Sequence, residues 1–303
     1  MFLISGPDLV IEACRAGIVG AFPTVNARTI EDLDGWMARI TTTLREHAEA
    51  HPEATIGPWA ANLITHSTNQ RLPQDLELVA RYRPPVVITA LGSPKPAIEL
   101  VHSYGGIVIA DVVTLKLAKK ALDAGADGLA CVSAGAGGHT GFISPFAFIS
   151  AVRELTDGLV IVGGGIADGQ GVAGAIAAGA DLVYMGTRFI ATAESLAVED
   201  YKRMVVDACV DDLTISAAIT GTPASWLKPS LRRSGYDPDN MPEKPERNYD
   251  SSKQGPKRWR DVWAAGQGVG AVRSVETVKA VVDILAQEYR AALARVAALA
   301  RGE

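Results

Sequence analysis

Short apolar runs that alternate with amphipathic segments are the feature that most constrains the fold of this chain. The runs are rich in β-branched and small apolar residues and do not alternate with polar ones, which is typical of strands buried on both faces. Segments with helical periodicity lie between them, for example LKLAKKALDAGA at residues 115–126. Seven strands are predicted in this way, at residues 18–22, 55–63, 85–91, 106–112, 128–134, 159–165 and 182–187.

The alternation of strands and helices predicts an α/β fold with a parallel sheet. Seven strands come close to the eight of a TIM-type (β/α)8 barrel, and this barrel is the predicted fold class. A first strand is missing from the pattern, because residues 5–10, SGPDLV, are typical of a helix start with Pro7 at an early helical position. We therefore expect the first strand to be truncated or to lie upstream of residue 1.

The chain after the last predicted strand divides into an irregular part and a helical part. Residues 221–260 are rich in proline, glycine and charge, which is typical of a long surface excursion. Helical periodicity returns at residues 274–300, in a segment long enough to lie across a barrel. We predict that residues 1–220 and 261–303 form the barrel. Residues 221–260 are predicted to be a loop-rich excursion in a position to cover the active site.

Composition argues against several classes of function. The 29 Lys and Arg residues against 34 Asp and Glu give a net charge of −5, whereas nucleic-acid binding needs a basic face. No apolar run reaches the roughly 18 residues of a membrane span, and the first residues lack the features of a signal peptide. Cys14, Cys131 and Cys209 are too scattered for a disulfide framework or a zinc site. We expect a cytoplasmic protein without a nucleic-acid, membrane or metal partner, and a homodimer is possible.

Two glycine-rich loops follow the last two predicted strands. Residues 163–165 are three glycines, with Asp168 placed to cap the next helix, and Gly186 and Thr187 end the next strand. Such loops lie on the active face of a (β/α)8 barrel, where phosphate sites recur, and glycine lets backbone N–H groups approach a phosphate. The spacing fits neither the dinucleotide fingerprint nor a Walker motif. We predict that these loops hold a phosphorylated cofactor or substrate.

Three motifs in this order resemble the nitronate monooxygenase family, formerly called 2-nitropropane dioxygenases. They are GAGGHTG at 135–141, GGGIADGQGVAGAIAAGADLVYMGTRFIATAES at 163–195 and WAAGQGVG at 263–270, and the resemblance covers essentially the whole chain. It implies a TIM-type barrel that binds FMN non-covalently and oxidises small alkyl nitronates or nitroalkanes with O₂ to a carbonyl compound and nitrite. The family's Ala-Pro-Met segment on its first strand, which touches FMN, is represented here only by Met1.

The resemblance also implies which residues bind the FMN phosphate. Gly164 and Gly165 match one half of the phosphate site, and Gly186 and Thr187 match the other half. Met185 falls beside them in the same family segment.

Three further residues match family positions near the flavin ring. Asn62 matches an asparagine that ends a strand and contacts the ring, and Gly137 matches a glycine whose backbone lies against it. Lys120 matches a lysine near the flavin, although Lys119 is a competing match and Leu117 replaces a common histidine.

His139 is the predicted catalytic residue, because it lies among glycines in a loop on the active face. No second ligand lies at a useful spacing, so a metal site is not expected. In the family the matching histidine acts as a base or as a hydrogen-bond donor to the nitro group, and both roles suit a pKa near about 6.5. As a base, His139 would remove the α-proton of a neutral nitroalkane. With a nitronate it would only orient the substrate and stabilise charge.

Other polar side chains are weaker candidates. Ser133 could hydrogen-bond the flavin or the substrate, and Gln267 belongs to a family motif but has no assigned contact. His66 is expected in a solvated loop, and Cys131 is expected to be inert packing. Relatives with the same barrel include FMN-dependent enoyl reductases and NADH:quinone reductases. An FMN-dependent NAD(P)H reductase of a quinone or enoyl substrate is therefore the alternative function, and a binding protein without turnover is the third.

Overall fold

The structure is a computed structural model that describes residues 1–242 and 259–302. A curled sheet of seven parallel strands lies at its centre, with helices around it, and all seven predicted strands are present. The α/β, barrel-type fold predicted from the alternation is therefore confirmed. The sheet contains, in spatial order, β1 (Gly20–Pro23), β2 (Trp59–Ile64), β3 (Val86–Ala90), β4 (Ile107–Val112), β5 (Gly128–Val132), β7 (Leu159–Gly163) and β8 (Leu182–Val183); a small antiparallel sheet contains β6 (Gly138–His139), β10 (Ala224–Leu227) and β9 (Leu213–Ser216).

The helices follow the strands as expected for a right-handed βαβ arrangement. The second helix shows how the sequence determines a start: Thr29 and Asp32 form a reciprocal capping box, and its buried residues recur at helical spacing. The α-helices are α1 (Pro7–Arg15), α2 (Ile30–Ala50), α3 (Leu72–Tyr82), α4 (Lys95–Ser103), α5 (Leu115–Asp123), α6 (Pro145–Arg153), α7 (Gly169–Ala177), α8 (Glu199–Asp207), α9 (Lys228–Arg233) and α10 (Val278–Arg301).

The strands are buried on both faces, as their continuous apolar runs predict. One face points into the barrel, where Ile88 and Ile109 form a cluster with Ala60 and Ala130. The other face packs on the surrounding helices, in two larger clusters on opposite halves of the sheet. The barrel interior is therefore lined by apolar side chains, and the loops lie at the carboxyl ends of the strands.

The position predicted for a first strand holds no strand among the described residues. Within that part of the chain β1 pairs only with β2, and β8 pairs only with β7, so the sheet stays open between β1 and β8. The opening leads into an apolar cavity of about 550 Å³ that runs into the barrel and is walled on the outside by α1 and α10. Met1 lies at the end of this cavity nearest the glycine loops, where a β-carbon on Gly186 would come 3.3 Å from its Cγ.

The last helix, α10, lies across the barrel as its length predicts. It packs against α7 and α1, and a β-carbon on Gly169 would come 2.2 Å from the Tyr289 nitrogen, so the two helices approach closely at a glycine. Glu288 of α10 also accepts a hydrogen bond of 2.8 Å from the Gly169 N–H at the start of α7. None of the helices in the described residues is long and apolar enough to cross a membrane.

Part of the predicted excursion at 221–260 is regular structure. β10 and α9 lie within it, and β10 pairs with both β6 and β9. Residues 243–258 lie outside the described residues, so the prediction that this range covers the active site remains a prediction.

Candidate active site

Three chain segments converge at the carboxyl ends of β5 and β7. The carbonyl oxygen of Gly135, in the loop after β5, accepts hydrogen bonds from the N–H of Gly165 at 3.1 Å and of Gln267 at 2.9 Å. A β-carbon on Gly137 would lie 2.6 Å from the Gly266 nitrogen. Only glycine permits backbones to approach this closely. We call this convergence of residues 135–137, 163–165 and 265–268 the glycine crossing.

Gly164 and Gly165, two of the four predicted phosphate residues, lie at this crossing. Gly164 has φ +141° and is buried, and a β-carbon there would come 2.6 Å from the Ala134 carbonyl oxygen. Gly165 has φ +70°, in the left-handed region, and is exposed. In the described part of the chain, the N–H groups of Gly164, Gly186 and Thr187 donate no hydrogen bond. Unpartnered backbone N–H groups are donors of the kind that a phosphate binds.

Thr187 joins the two halves of this donor set. Its Oγ1 accepts a hydrogen bond of 2.9 Å from the Gly266 N–H, which leaves the hydroxyl proton available for an anion. Gly186 and Met185 are half-buried beside it, and Met185 also lines the apolar cavity. The next residue, Arg188, is buried and its guanidinium is held by Glu276 at 3.1 Å, so it is not free to pair with a phosphate.

The N–H groups of Gly169 and Gly171 at the start of α7 do not add to this set of unpartnered donors. Asp168 caps this helix, as expected, and accepts a hydrogen bond of 2.7 Å from the Gly171 N–H. The Gly169 N–H donates to Glu288. Two carboxylates thus accept hydrogen bonds from N–H groups at the N-terminus of α7. An anion bound at the glycine crossing would therefore have to be held by the loop N–H groups.

A buried polar cluster lies beneath the crossing, at the carboxyl ends of β2, β4 and β8. Asn62 is buried in β2, and its amide interacts with the Asp111 carboxyl and the Tyr184 hydroxyl. Burial raises the pKa of Asp111 from 3.8 to about 7, although the Met1 amino group and Asn62 act in the opposite direction. Burial also raises the pKa of Tyr184. One oxygen of Asp111 is buried and accepts no hydrogen bond from the described residues, so the cluster has an unused acceptor.

His139 is presented by β6, which pairs in antiparallel fashion with β10. Its ring lies edge to face with that of Trp259, with centroids 5.2 Å apart and planes at 82°. The residue keeps an exposed face, while desolvation on its crowded faces lowers the imidazole pKa from 6.5. His139 is therefore largely neutral near pH 7 and can accept a proton.

The remaining candidates lie in different surroundings. Lys120 is exposed on α5, and no contact joins it to the glycine crossing among the described residues; the competing Lys119 pairs with Asp123 at 3.1 Å. Leu117 is 44% exposed, so the position of the family histidine faces solvent here. The cofactor role of Lys120 remains a prediction.

Ser133, Cys131, His66 and Gln267 can now be placed as well. Ser133 is fully buried and its hydroxyl donates to the Cys131 carbonyl at 3.3 Å, while burial raises the pKa of the Cys131 thiol to about 12. His66 is exposed and bonded to Thr68 at 2.8 Å. Gln267 lies at the glycine crossing, where a β-carbon on Gly135 would come 2.9 Å from its Oε1.

The large apolar cavity does not coincide with this site. It is lined by Asn62, Tyr184 and Met185, but His139, Gly164, Gly165 and Thr187 are not among its walls. The cavity follows the open side of the sheet, whereas the glycine crossing lies between loops. The described residues also contain no group of three His, Cys, Asp or Glu side chains that could hold a metal ion.

Sequence reasoning missed Trp259, Asp111 and Tyr184. Trp259 is 120 residues away from His139 along the chain, and nothing local links the two. Asp111 gave a usable signal, since it is a carboxylate within the apolar run IVIADV.

Comparisons with known proteins agree with this geometry. A family model described as nitronate monooxygenase matches residues 43–288. The chain is 29% identical over 238 residues to a (3aS,4S,5R,7aS)-5-hydroxy-7a-methyl-1-oxo-octahydro-1H-indene-4-carboxyl-CoA dehydrogenase from Rhodococcus jostii, covering 78% of this chain and 64% of that protein. It is 31% identical over 176 residues to a nitronate monooxygenase from Paraburkholderia phytofirmans, covering 55% and 48%. The chain thus spans less than two thirds of the length of these relatives.

A solved structure supports the fold independently. A nitroalkane oxidase from Streptomyces ansochromogenes superposes with a TM-score of 0.80 at 22% identity, over 96% of this chain and 94% of that one. At this identity the likeness shows the barrel fold alone. The family match covers most of the chain, from α2 into α10, and includes the glycine crossing and His139. The chain therefore belongs to the nitronate monooxygenase family of oxidoreductases, whose members are flavoproteins.

Proposed function

We propose that this protein is an FMN-dependent nitronate monooxygenase, which oxidises small alkyl nitronates with O₂ to a carbonyl compound and nitrite. The observation that carries the proposal is the juxtaposition of His139 with the glycine crossing. A neutral imidazole lies two residues from Gly137, whose backbone packs against Gly266 and Thr187. The loop that carries the proposed proton acceptor, His139, thus packs against Thr187 of the proposed phosphate site.

The residues present fit FMN at this crossing. The unpartnered N–H groups of Gly164, Gly186 and Thr187, together with the Thr187 hydroxyl, would hold its phosphate. The resemblance to the family predicts that Asn62 and the backbone of Gly137 contact the flavin ring, and we propose the same roles here. A single phosphate cradle without a second nucleotide fingerprint favours FMN over FAD.

The chain's own residues have a defined part in the reaction. With a neutral nitroalkane, the His139 imidazole accepts the α-proton. With a nitronate, the same imidazole orients the nitro group and stabilises its charge through a hydrogen bond. Bound FMN would supply the electron acceptor that O₂ then reoxidises. The lowered pKa of His139 keeps the imidazole in the accepting form near neutral pH.

The first test is the cofactor. The purified protein should show an oxidised-flavin spectrum and should release FMN, not FAD, on heat denaturation. Nitronate should then drive O₂ consumption with stoichiometric nitrite. A protein that stays colourless and cannot be reconstituted with FMN would overturn the proposal.

A second candidate function has its own support. The Rhodococcus jostii relative is named a dehydrogenase of a carboxyl-CoA compound, and the same barrel in a flavin-dependent NAD(P)H reductase would act on a quinone or enoyl substrate. Anaerobic mixing separates the two functions. Rapid flavin bleaching by NADH or NADPH alone would favour the reductase, and bleaching by a nitronate alone would favour the monooxygenase.

We also propose that the protein forms a homodimer and is located in the cytoplasm. Size-exclusion chromatography with light scattering would show the oligomeric state of the purified protein.

A further inference from the structure

Trp259 is the aromatic neighbour of His139. The two rings meet edge to face, with centroids 5.2 Å apart. Trp259 also lies close to Gly138, since a β-carbon there would be 3.4 Å from its Cζ3. An indole thus covers one side of the two-residue strand that presents the imidazole.

The ring of Trp259 also packs against a second tryptophan. Its ring lies 4.6 Å from that of Trp226, at 33° between planes. Trp226 is fully buried, and its Nε1 donates to the Ser216 carbonyl at 3.2 Å. Trp259 therefore contacts the rings of both Trp226 and His139, which lie on two paired strands of the small antiparallel sheet.

The backbone of Trp259 is strained in a way that this packing explains. Its φ is +65°, in the left-handed region that bulky residues rarely adopt. Such a conformation is energetically unfavourable and persists where surrounding contacts determine it, often at functional sites. The contacts that determine it here are those with Trp226, Gly138 and His139.

We propose that Trp259 is a positioning residue for His139: its indole fixes the orientation of the imidazole and shields one side of it from water. An edge-to-face aromatic pair has a preferred geometry and is stabilising beyond the apolar area that it buries. Shielding removes water from the imidazole and so favours its neutral form. Both effects keep His139 ready to accept a proton.

No charged group accounts for this environment among the described residues. β10, which pairs with β6, carries the uncharged sequence ASWL, and β9 carries LTIS. Next to Trp259, Arg260 forms a bidentate ion pair with Asp261. Desolvation is the cause of the lowered His139 pKa, and Trp259 is the large side chain whose ring lies against it.

The test measures the His139 pKa directly. Histidine labelled with ¹³C and ¹⁵N would be titrated by NMR in the FMN-loaded protein, with His139→Gln used to assign the signal. We expect a wild-type pKa below about 6.5, a return to about 6.5 in Trp259→Ala, and retention of the low value in Trp259→Phe. Trp36→Phe is the matched control, because Trp36 also packs against an aromatic ring, that of Phe22, with 59° between the planes. An unchanged pKa in folded Trp259→Ala would overturn the inference.

A second measurement needs no change at Trp259. Protonated imidazole quenches the fluorescence of a neighbouring indole, so wild-type emission should fall at low pH through the His139 ionisation. This pH-dependent component should vanish in His139→Gln, and its persistence there would contradict the contact. The inference rests on the proposed function for its catalytic meaning, but neither titration requires turnover. If both titrations succeed while nitronates are not oxidised, the proposed function fails and the positioning role of Trp259 stands.

Turnover gives a third readout that separates positioning from folding. In Trp259→Ala, kcat for a neutral nitroalkane should fall about tenfold, and the pH profile of kcat should shift to higher pH. Trp259→Phe should restore both the rate and the profile. A loss that is equal at all pH values and appears only in KM would assign Trp259 to substrate binding instead.

Discussion

The N–H of Gly165 donates a 3.1 Å hydrogen bond to the carbonyl oxygen of Gly135, and this bond ties the loop after β7 to the loop that carries His139. The bond links the proposed phosphate site to the proposed catalytic residue through the backbone alone. Displacement of either loop would therefore affect cofactor and proton acceptor together. Side-chain changes at the crossing can still be chosen so that they separate cofactor binding from folding.

A substitution at Gly186 can separate an effect on cofactor binding from an effect on folding. Its φ is not in the left-handed region, and a β-carbon would meet only the flexible Met1 side chain, at 3.3 Å. Gly186→Val should therefore lower FMN affinity by about tenfold or more, because the side chain would block N–H approach to the phosphate, with little change in melting temperature of the flavin-free protein. Fluorescence titration with FMN measures the affinity. Gly270→Val is the control, since a β-carbon on Gly270 has no neighbour within 4 Å.

Normal FMN occupancy in Gly186→Val would remove Gly186 from the phosphate site. Gly164 cannot serve the same test. Its φ of +141° and a β-carbon 2.6 Å from the Ala134 carbonyl would strain the fold whether or not a cofactor binds.

Asp111 predicts a pH dependence of stability. Its pKa is raised from 3.8 to about 7, so the folded state holds a proton that the unfolded state has released between these values. The stability from this group is fully present below about pH 4 and is lost as the pH rises to 7. Asp111→Asn should thus stabilise the flavin-free protein at pH 8 relative to pH 4, by at most about 4 kcal/mol. Urea unfolding of both proteins at the two pH values measures the difference, and an equal effect at both would contradict the assignment.

Arg71 tests a buried ion pair outside the glycine crossing. It donates to the fully buried Asp75 at 2.8 Å and to the carbonyl oxygens of Thr24 and Ala27, and so links α3 to the residues after β1. Arg71→Ala should cost about 3–5 kcal/mol of unfolding free energy, because it leaves a buried carboxylate without its cation. The exposed pair of Lys279 and Asp283 is the control, and Lys279→Ala should cost a few tenths of a kcal/mol. Chemical denaturation of the three proteins compares the two losses; similar losses would mean that the Arg71 pair is not effectively buried.

Much of the barrel could be predicted from the sequence, because its strands are buried on both faces and continuous apolar runs mark them directly. The pairing of β6 with β10 could not, since a strand of two residues leaves no periodicity and its partner lies 85 residues later, at Ala224 opposite His139. The strand and helix inside residues 221–260 could not be predicted from the sequence for a related reason. Its proline and glycine content indicates loops, whereas β10 is stabilised by tertiary pairing and by burial of Trp226.

The candidate site was predictable in its parts and not in its assembly. The glycine motifs indicated close backbone approach, but the hydrogen bonds that Gly135 accepts from Gly165 and Gln267 depend on the fold. The contact between Trp259 and His139 has no local signature at all. Such motifs indicate which positions must be glycine, whereas the fold determines which backbone segments come into contact.

The last prediction concerns His139 as a proton acceptor. His139→Ala should lower the turnover of neutral nitroalkanes by about 10²–10⁴-fold, the range for a lost general base. Pre-ionised nitronates carry no such proton, so they should lose only what the imidazole provides in orientation and charge stabilisation. The wild-type rate with the neutral substrate should rise with pH through one ionisation below about 6.5, since only neutral imidazole accepts the proton and its pKa is lowered. His66→Ala is the control, because His66 is exposed and its ring is bonded to Thr68. Stopped-flow reduction of the flavin by both protonation states of one substrate makes the comparison. Equal losses for the two forms would mean that His139 positions the nitro group without abstracting a proton, and no loss for either would leave it a structural residue.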